Sequence, residues 1–272
     1  MQVTLLGTGD TTGTPTPGCD CDTCRAARDR GVERSRFSVH VRNDETGQAL
    51  LVDASPDFRH QFLRDGVALP DAAVVTHVHY DHVGGLGNAY RLVADLPVYA
   101  AGETDPATGE SVAATVADRY DYLDAVDVRP RDPMDPFEVC GFEVTLVPVV
   151  HPPLACYGLR IEGPSGTLAV TGDTAYDVPE CARNALADAD LLLADGIVHA
   201  GFCDAHPKGG ADHDADGVPR TFGTKHMTRE GALDLAAALD PDRVRLVHAS
   251  HFYPAGEAFE DPLAVDGEVH DL

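Results

Sequence analysis

Thr76-His77-Val78-His79-Tyr80-Asp81-His82 places four metal-ligand side chains within six positions. His77 and His79 lie two apart, so an extended backbone projects both rings to the same side. Asp81 and His82 follow, where Gly84 and Gly85 signal a turn, and can face a neighbouring position. Such a run can serve two cations about 3.5–4 Å apart, the spacing of hydrolytic metal pairs. Imidazole suits zinc, manganese or iron, and the carboxylate adds a harder donor. A second cluster, Cys19-x-Cys21-x-x-Cys24, offers three corners of a tetrahedral zinc. Disulfide geometry disfavours pairing Cys19 with Cys21. The fourth corner must come from elsewhere, and His251 is the candidate. A redox thiol cluster and reduced loop cysteines are the competing readings. The chain has seven cysteines, an odd number, which suits an intracellular metal site better than a secreted disulfide framework.

Elements must position these groups. Gln2–Leu6 reads as a strand ending at Gly7-Thr8-Gly9, and Phe37–Val41 with Ala49–Val52 as a hairpin around Asn43–Gly47. Ser55 is expected to cap a helix carrying Pro56 in its first turn and an apolar stripe at Phe58 and Phe62. Ala72–Val75 is a short buried strand feeding the histidine loop. Further strands are expected at 142–150, 157–161, 168–171, 191–194 and 244–247. Three of these end on a possible ligand: His151, Asp173 in Thr171-Gly172-Asp173-Thr174, and His248. The carboxyl ends of strands are where open α/β sheets gather active-site groups. His226 precedes a helix that Thr228 caps and Pro241 stops. A helix N-terminus favours anions, and a histidine there could donate a proton to a departing oxygen. Segments 102–135 and 203–224 read as insertions in one domain spanning 1–272, the first a helix with loops and a candidate lid. His206 and His213, in the second, read as solvated. The βα-rich halves suggest an αββα sandwich.

Composition narrows the setting. Forty-five acidic residues against 20 Lys and Arg give a formal charge of −25. Such a surface stays hydrated when salt screens it, which points to a salt-rich cytoplasm. The absence of a basic cluster argues against a nucleic-acid partner, whose backbone is bound by displacing counterions. A small anion remains compatible. No apolar run approaches the ~18 residues of a membrane span, and Met1–Leu6 has no basic region or cleavage site of a signal peptide. A cytoplasmic protein is expected, with a homodimer as the default assembly.

The His-x-His-x-Asp-His run, with His151, Asp173 and His248 downstream, resembles the metallo-β-lactamase superfamily over nearly the whole chain. The resemblance implies a four-layer αββα sandwich and two divalent ions, zinc or manganese. One would be held by His77, His79 and His151, the other by Asp81, His82 and His248, with Asp173 bridging. Asp53 matches that superfamily's acidic support of the metal loop; a helix-start carboxylate is the competing reading. Gly13, Pro15 and the cysteine cluster resemble the phosphodiesterase branch of phosphonate breakdown, which opens the cyclic phosphate of phosphoribose. That branch implies a structural zinc on Cys19, Cys21, Cys24 and His251, and a catalytic histidine at His226. The pyrroloquinoline-quinone biosynthesis protein B branch carries a similar cysteine cluster.

The expectation is therefore a metal-dependent hydrolase of a small, cyclic phosphodiester. His226 would protonate the leaving oxygen, while Asp81 and Asp173 orient the nucleophile. The alternatives are lactone or thioester hydrolysis, a ribonuclease Z-like nuclease, or a non-catalytic carrier in quinone-cofactor biosynthesis.

Overall fold

The computed structural model describes the chain except residues 89–91, 107 and 207–214. His213 therefore lies outside the described residues.

Two sheets form the centre. The first contains β1 (Gln2–Gly7), β2 (Ser38–Arg42), β3 (Ala49–Val52), β4 (Ala72–Val74), β5 (Leu96–Ala101) and β6 (Val126–Arg131) in sequential order. The second contains β7 (Phe137–Val139), β8 (Phe142–Val149), β9 (Cys156–Glu162), β10 (Thr167–Val170) and β11 (Leu191–Asp195). A short ribbon follows, β12 (Thr221–Phe222) with β13 (His226–Met227). β14 (Val244–Val247) then pairs in parallel beside β11, and β15 (Val269–Asp271) returns to pair antiparallel with β1. One apolar cluster draws on both sheets, from Val3, Leu5 and Leu51 to Leu146, Leu159 and Leu193, all fully buried. The sheets thus pack face to face, and burial of these aliphatic faces is the main force joining them.

Helices α1 (Asp22–Arg30), α2 (Phe58–Asp65), α3 (Tyr80–Val83), α4 (Val112–Arg119), α5 (Glu180–Leu186) and α6 (Arg229–Leu239) complete the chain. α2 and α4 pack on the first sheet, and α5 and α6 on the second, giving an αββα sandwich. On the second side, Leu186, Leu235 and Leu239 meet Leu192 and Leu246 in a separate buried cluster. Thr228 caps α6 by accepting from the Gly231 amide at 3.0 Å. Among the described residues, no helix is long and apolar enough to cross a membrane.

Three expectations need correction. Ser55 does not cap α2: the helix starts at Phe58, and the Ser55 hydroxyl instead accepts from the Asp57 amide at 3.0 Å. Segment 102–135, read as a helix with loops, does supply the helix α4 but also the edge strand β6, which was not expected. An edge strand need not be apolar on both faces, and the charged residues of β6 obscured it in the sequence. α1 was not expected at all. Its sequence Asp-Thr-Cys-Arg-Ala-Ala-Arg-Asp-Arg has little apolar periodicity, and its start is fixed by the Cys21 sulfur, which accepts from the Cys24 amide.

Candidate metal centre

Strand direction gathers the chemistry. β3 and β4 run parallel, with Val52 beside Val74, so Asp53 and Thr76 emerge together at the carboxyl end. β10, β11 and β14 also run parallel, with Val170 beside Leu193 and Asp195 beside Val247. That register delivers Asp173, Asp195 and His248 to one rim. Two small residues let the loops close. A β-carbon at Gly85 would meet the Ser55 carbonyl at 2.0 Å, and Gly172 has φ of +62° with the Tyr157 carbonyl 2.7 Å from such an atom. Asp53 and His248 adopt positive φ themselves, at 53° and 57°, a backbone strain that functional sites commonly hold.

Around the rim, His77 Nε2 is 2.9 Å from His79 Nδ1, which is 3.3 Å from His151 Nε2. Asp173 Oδ2 is 3.6 Å from His77 Nε2. On the other side, His82 Nε2 is 3.5 Å from Asp81 Oδ2 and 3.4 Å from Asp173 Oδ2. His248 Nε2 is 3.4 Å from Asp81 Oδ2 and 3.3 Å from Asp173 Oδ2. A tetrahedral cation with bonds of about 2.05 Å keeps its ligand atoms roughly 3.3 Å apart. Both groups have that spacing, and the same Asp173 oxygen belongs to each. The chemistry of the donors agrees. Among the described residues, His82 Nε2 is buried with no hydrogen-bond partner, a costly arrangement unless something else engages that nitrogen. The residues therefore fit a pair of divalent ions.

Electrostatics divide the two halves. Burial depresses His77, His79 and His151, the last to about 3, and Asp173 offsets only part of this. Burial thus favours their neutral form, the form that binds a metal. Burial also works against charge at His82 and His248. There the carboxylates prevail, Asp173, Asp53 and Asp81 at His82, and Asp173, Asp81 and Asp195 at His248, which rises to about 9. Asp173 is held well below the usual carboxylate range: burial opposes this, but His248, His82 and His77 overcome it.

Supporting groups fix the rings. Asp53 accepts from His82 Nδ1 at 2.7 Å, from the Thr76 amide at 2.8 Å and from its hydroxyl at 2.7 Å. A carboxylate that binds the loop at three points serves that loop, so the helix-start reading of Asp53 is set aside. His151 Nδ1 donates to the Lys225 carbonyl at 3.0 Å, leaving Nε2 for a cation.

His226 stacks on His248 with ring centroids 5.1 Å apart and 13° between planes. Its Nδ1 donates to Asp195 Oδ2 at 2.9 Å. Sequence reasoning missed Asp195, a fully buried carboxyl that burial raises above its usual range while His226 and His248 pull it back. Its signal was there: like Asp173, it closes an apolar run at the carboxyl end of a strand. Also missed was Asp10, a buried carboxylate that accepts from Thr12 and the Gly13 amide. His206 was expected to be solvated. It packs against Phe222 and Phe252, with centroids 4.6 and 4.7 Å away, because the aromatic residues of β12 and segment 249–253 fold beneath it.

A cavity of about 380 Å³ opens over the centre. Asp81, Asp173, His226 and His248 line its base, Asp10 and Thr12 another part, and His206 and Phe222 an aromatic one. That volume suits a small ligand.

The cysteine cluster forms a separate site. His251 Nδ1 lies 3.3, 3.7 and 3.2 Å from the sulfurs of Cys19, Cys21 and Cys24. Zinc bonds of about 2.3 Å to sulfur and 2.05 Å to nitrogen give an edge of roughly 3.5 Å. Four donors converging this way fit a structural ion, and no disulfide joins the cysteines.

Comparison with known proteins agrees with this geometry. A family profile described as a beta-lactamase superfamily domain matches residues 48–249. A diphosphatase of the PhnP family superposes with a TM-score of 0.78 at 28% identity, covering 99% of this chain and 96% of its own. Zinc-bound PqqB from Methylobacterium extorquens gives 0.78 at 25% identity, covering both chains completely. An octanoyltransferase of Porphyromonas gingivalis is 31% identical over 93% of this chain, but the chain spans only 47% of that protein.

Proposed function

Because this chain belongs to the metallo-β-lactamase superfamily of metal-dependent hydrolases, we propose that it hydrolyses a small phosphodiester, with a cyclic phosphodiester as the preferred form. The observation that carries this reading is the pairing of two ligand groups through Asp173 beside a carboxylate-held histidine, all facing one cavity. His77, His79 and His151 would hold one ion, and Asp81, His82 and His248 the other. The donor set accepts zinc or manganese. A bound pair supplies Lewis acidity at the phosphoryl oxygens and lowers the pKa of water. The chain's own groups do the rest. Asp81 and Asp173 orient the attacking water. With Nδ1 committed to Asp195, His226 uses Nε2 to protonate the leaving alkoxide, and Asp195 stabilises the imidazolium that does so. A lone histidine without its carboxylate would drift in both tautomer and angle.

His226→Ala should lower kcat by about 10²–10⁴-fold, the usual contribution of a general acid, with metal content unchanged by elemental analysis. Loss of metal in parallel would make His226 a ligand instead. Asp53→Ala frees His82 from its orienting partner, and metal affinity should fall about 10–100-fold, read by competition with a chelator. The reaction itself is tested with paired aryl substrates. The metal-loaded protein should cleave an aryl phosphodiester and leave the matching aryl carboxylate ester intact. Faster turnover of the ester would replace this reading with lactone or thioester hydrolysis.

A further inference from the structure

The chain contains two lysines, Lys208 and Lys225, and Lys225 is the only one among the described residues. It lines the cavity above the metal centre, where no arginine among the described residues accompanies it. In a chain with 45 acidic residues, a cation would ordinarily be drawn into an ion pair, yet none is found for Lys225 among the described residues. The residue is half-buried. After burial and the carboxylates, its charge is among the influences on His79, opposing protonation of that ring. The charge of Lys225 is thus felt on the His79 side of the centre. Its backbone is fixed independently, through the carbonyl that accepts from His151 Nδ1.

We infer that Lys225 is the anion-recognising residue of this site, donating from its ammonium to a non-bridging oxygen of the substrate phosphodiester. The physical need is clear. A phosphodiester approaching a protein of net charge −25 meets long-range repulsion, and the carboxylates that line the cavity add to it. A cation on the cavity wall offsets that repulsion locally and marks a charged phosphoryl group against a neutral acyl ester. A compact ammonium with three rotatable donors is suited to a tetrahedral oxyanion. The inference rests on the hydrolase reading above, but phosphate binding can test it separately.

The test compares wild type, Lys225→Gln and Lys225→Arg, all metal-loaded at one fixed high salt concentration. Lys225→Gln should lower kcat/KM for an aryl phosphodiester about 10–100-fold, the range of a hydrogen bond to a charged group. Lys225→Arg should recover much of this. Calorimetry with inorganic phosphate should show a similar weakening in Lys225→Gln, while metal content stays at the wild-type level because the backbone carbonyl is retained. Phosphate affinity and kcat/KM both unchanged in Lys225→Gln would overturn the assignment. So would equal weakening of phosphate and acetate, or loss of metal, since each means a general disturbance of the site. If wild type lacks phosphodiesterase activity, the functional reading fails, and the phosphate titration alone decides the role of Lys225.

Discussion

Asp173→Ala should empty the metal centre and abolish turnover. One oxygen of this carboxylate lies 3.6 Å from His77 Nε2, 3.4 Å from His82 Nε2 and 3.3 Å from His248 Nε2. It is the single atom common to both ligand groups, and its removal strips each of an anionic donor. The remaining donors on one side are three neutral imidazoles; on the other they are two imidazoles and Asp81. Two cations bound there would lose a shared negative charge that offsets their mutual repulsion. Removing one preorganised electrostatic group typically costs 10²–10³ in kcat, so losing a group that serves two ions should cost at least about 10³-fold. Elemental analysis should find well under two ions per chain at the centre. Two retained ions with wild-type affinity would remove Asp173 from the bridging position and undo the ligand partition.

The second large effect concerns stability. His251→Ala, or Cys24→Ser, should lower the melting temperature by about 10 °C. The figure takes the loss of only a fraction of the roughly 10–16 kcal/mol that structural zinc binding can supply, at about 2–4 °C per kcal/mol for a chain of this size. Part of the cost is mechanical. The site ties the loop before α1 to segment 248–251, and that segment is already stitched to the first strand's loop, with Ala249 donating to the Thr8 carbonyl at 3.0 Å. His251 is three residues from His248, so a loosened zinc site should also weaken the catalytic centre. Differential scanning calorimetry and metal titration of the same variant test both parts. Cys181→Ser is the control, because that exposed thiol lies outside the cluster and should change neither. A melting point equal to wild type for His251→Ala would exclude a structural ion there.

Much of the site could be read from the chain itself. Residues 77–82 carry their ligands contiguously, and local geometry suffices: an extended dipeptide followed by a turn presents His77, His79, Asp81 and His82 together whatever else the protein does. The capped start of α6 is similarly local, since one hydroxyl and one amide three residues away define it. His151, Asp173 and His248 were legible because each closes an apolar strand, and strand ends in such sheets share a rim.

What the tertiary structure alone decided are the partnerships across distance. Asp195 reaches His226 across 31 positions, and Asp53 reaches His82 across 29; the parallel register of β3 and β4 makes the second meeting and the bridge of Val198 to Thr228 the first, and a lone aspartate bears no mark of either. His206 looked solvated until two aromatic residues from separate segments closed around it. β15 pairs with β1 across almost the full chain, and β6 joins its sheet despite an unremarkable charged sequence. Short-range order is written in neighbouring residues, whereas these contacts depend on which surfaces bury one another, a choice made by the whole core at once.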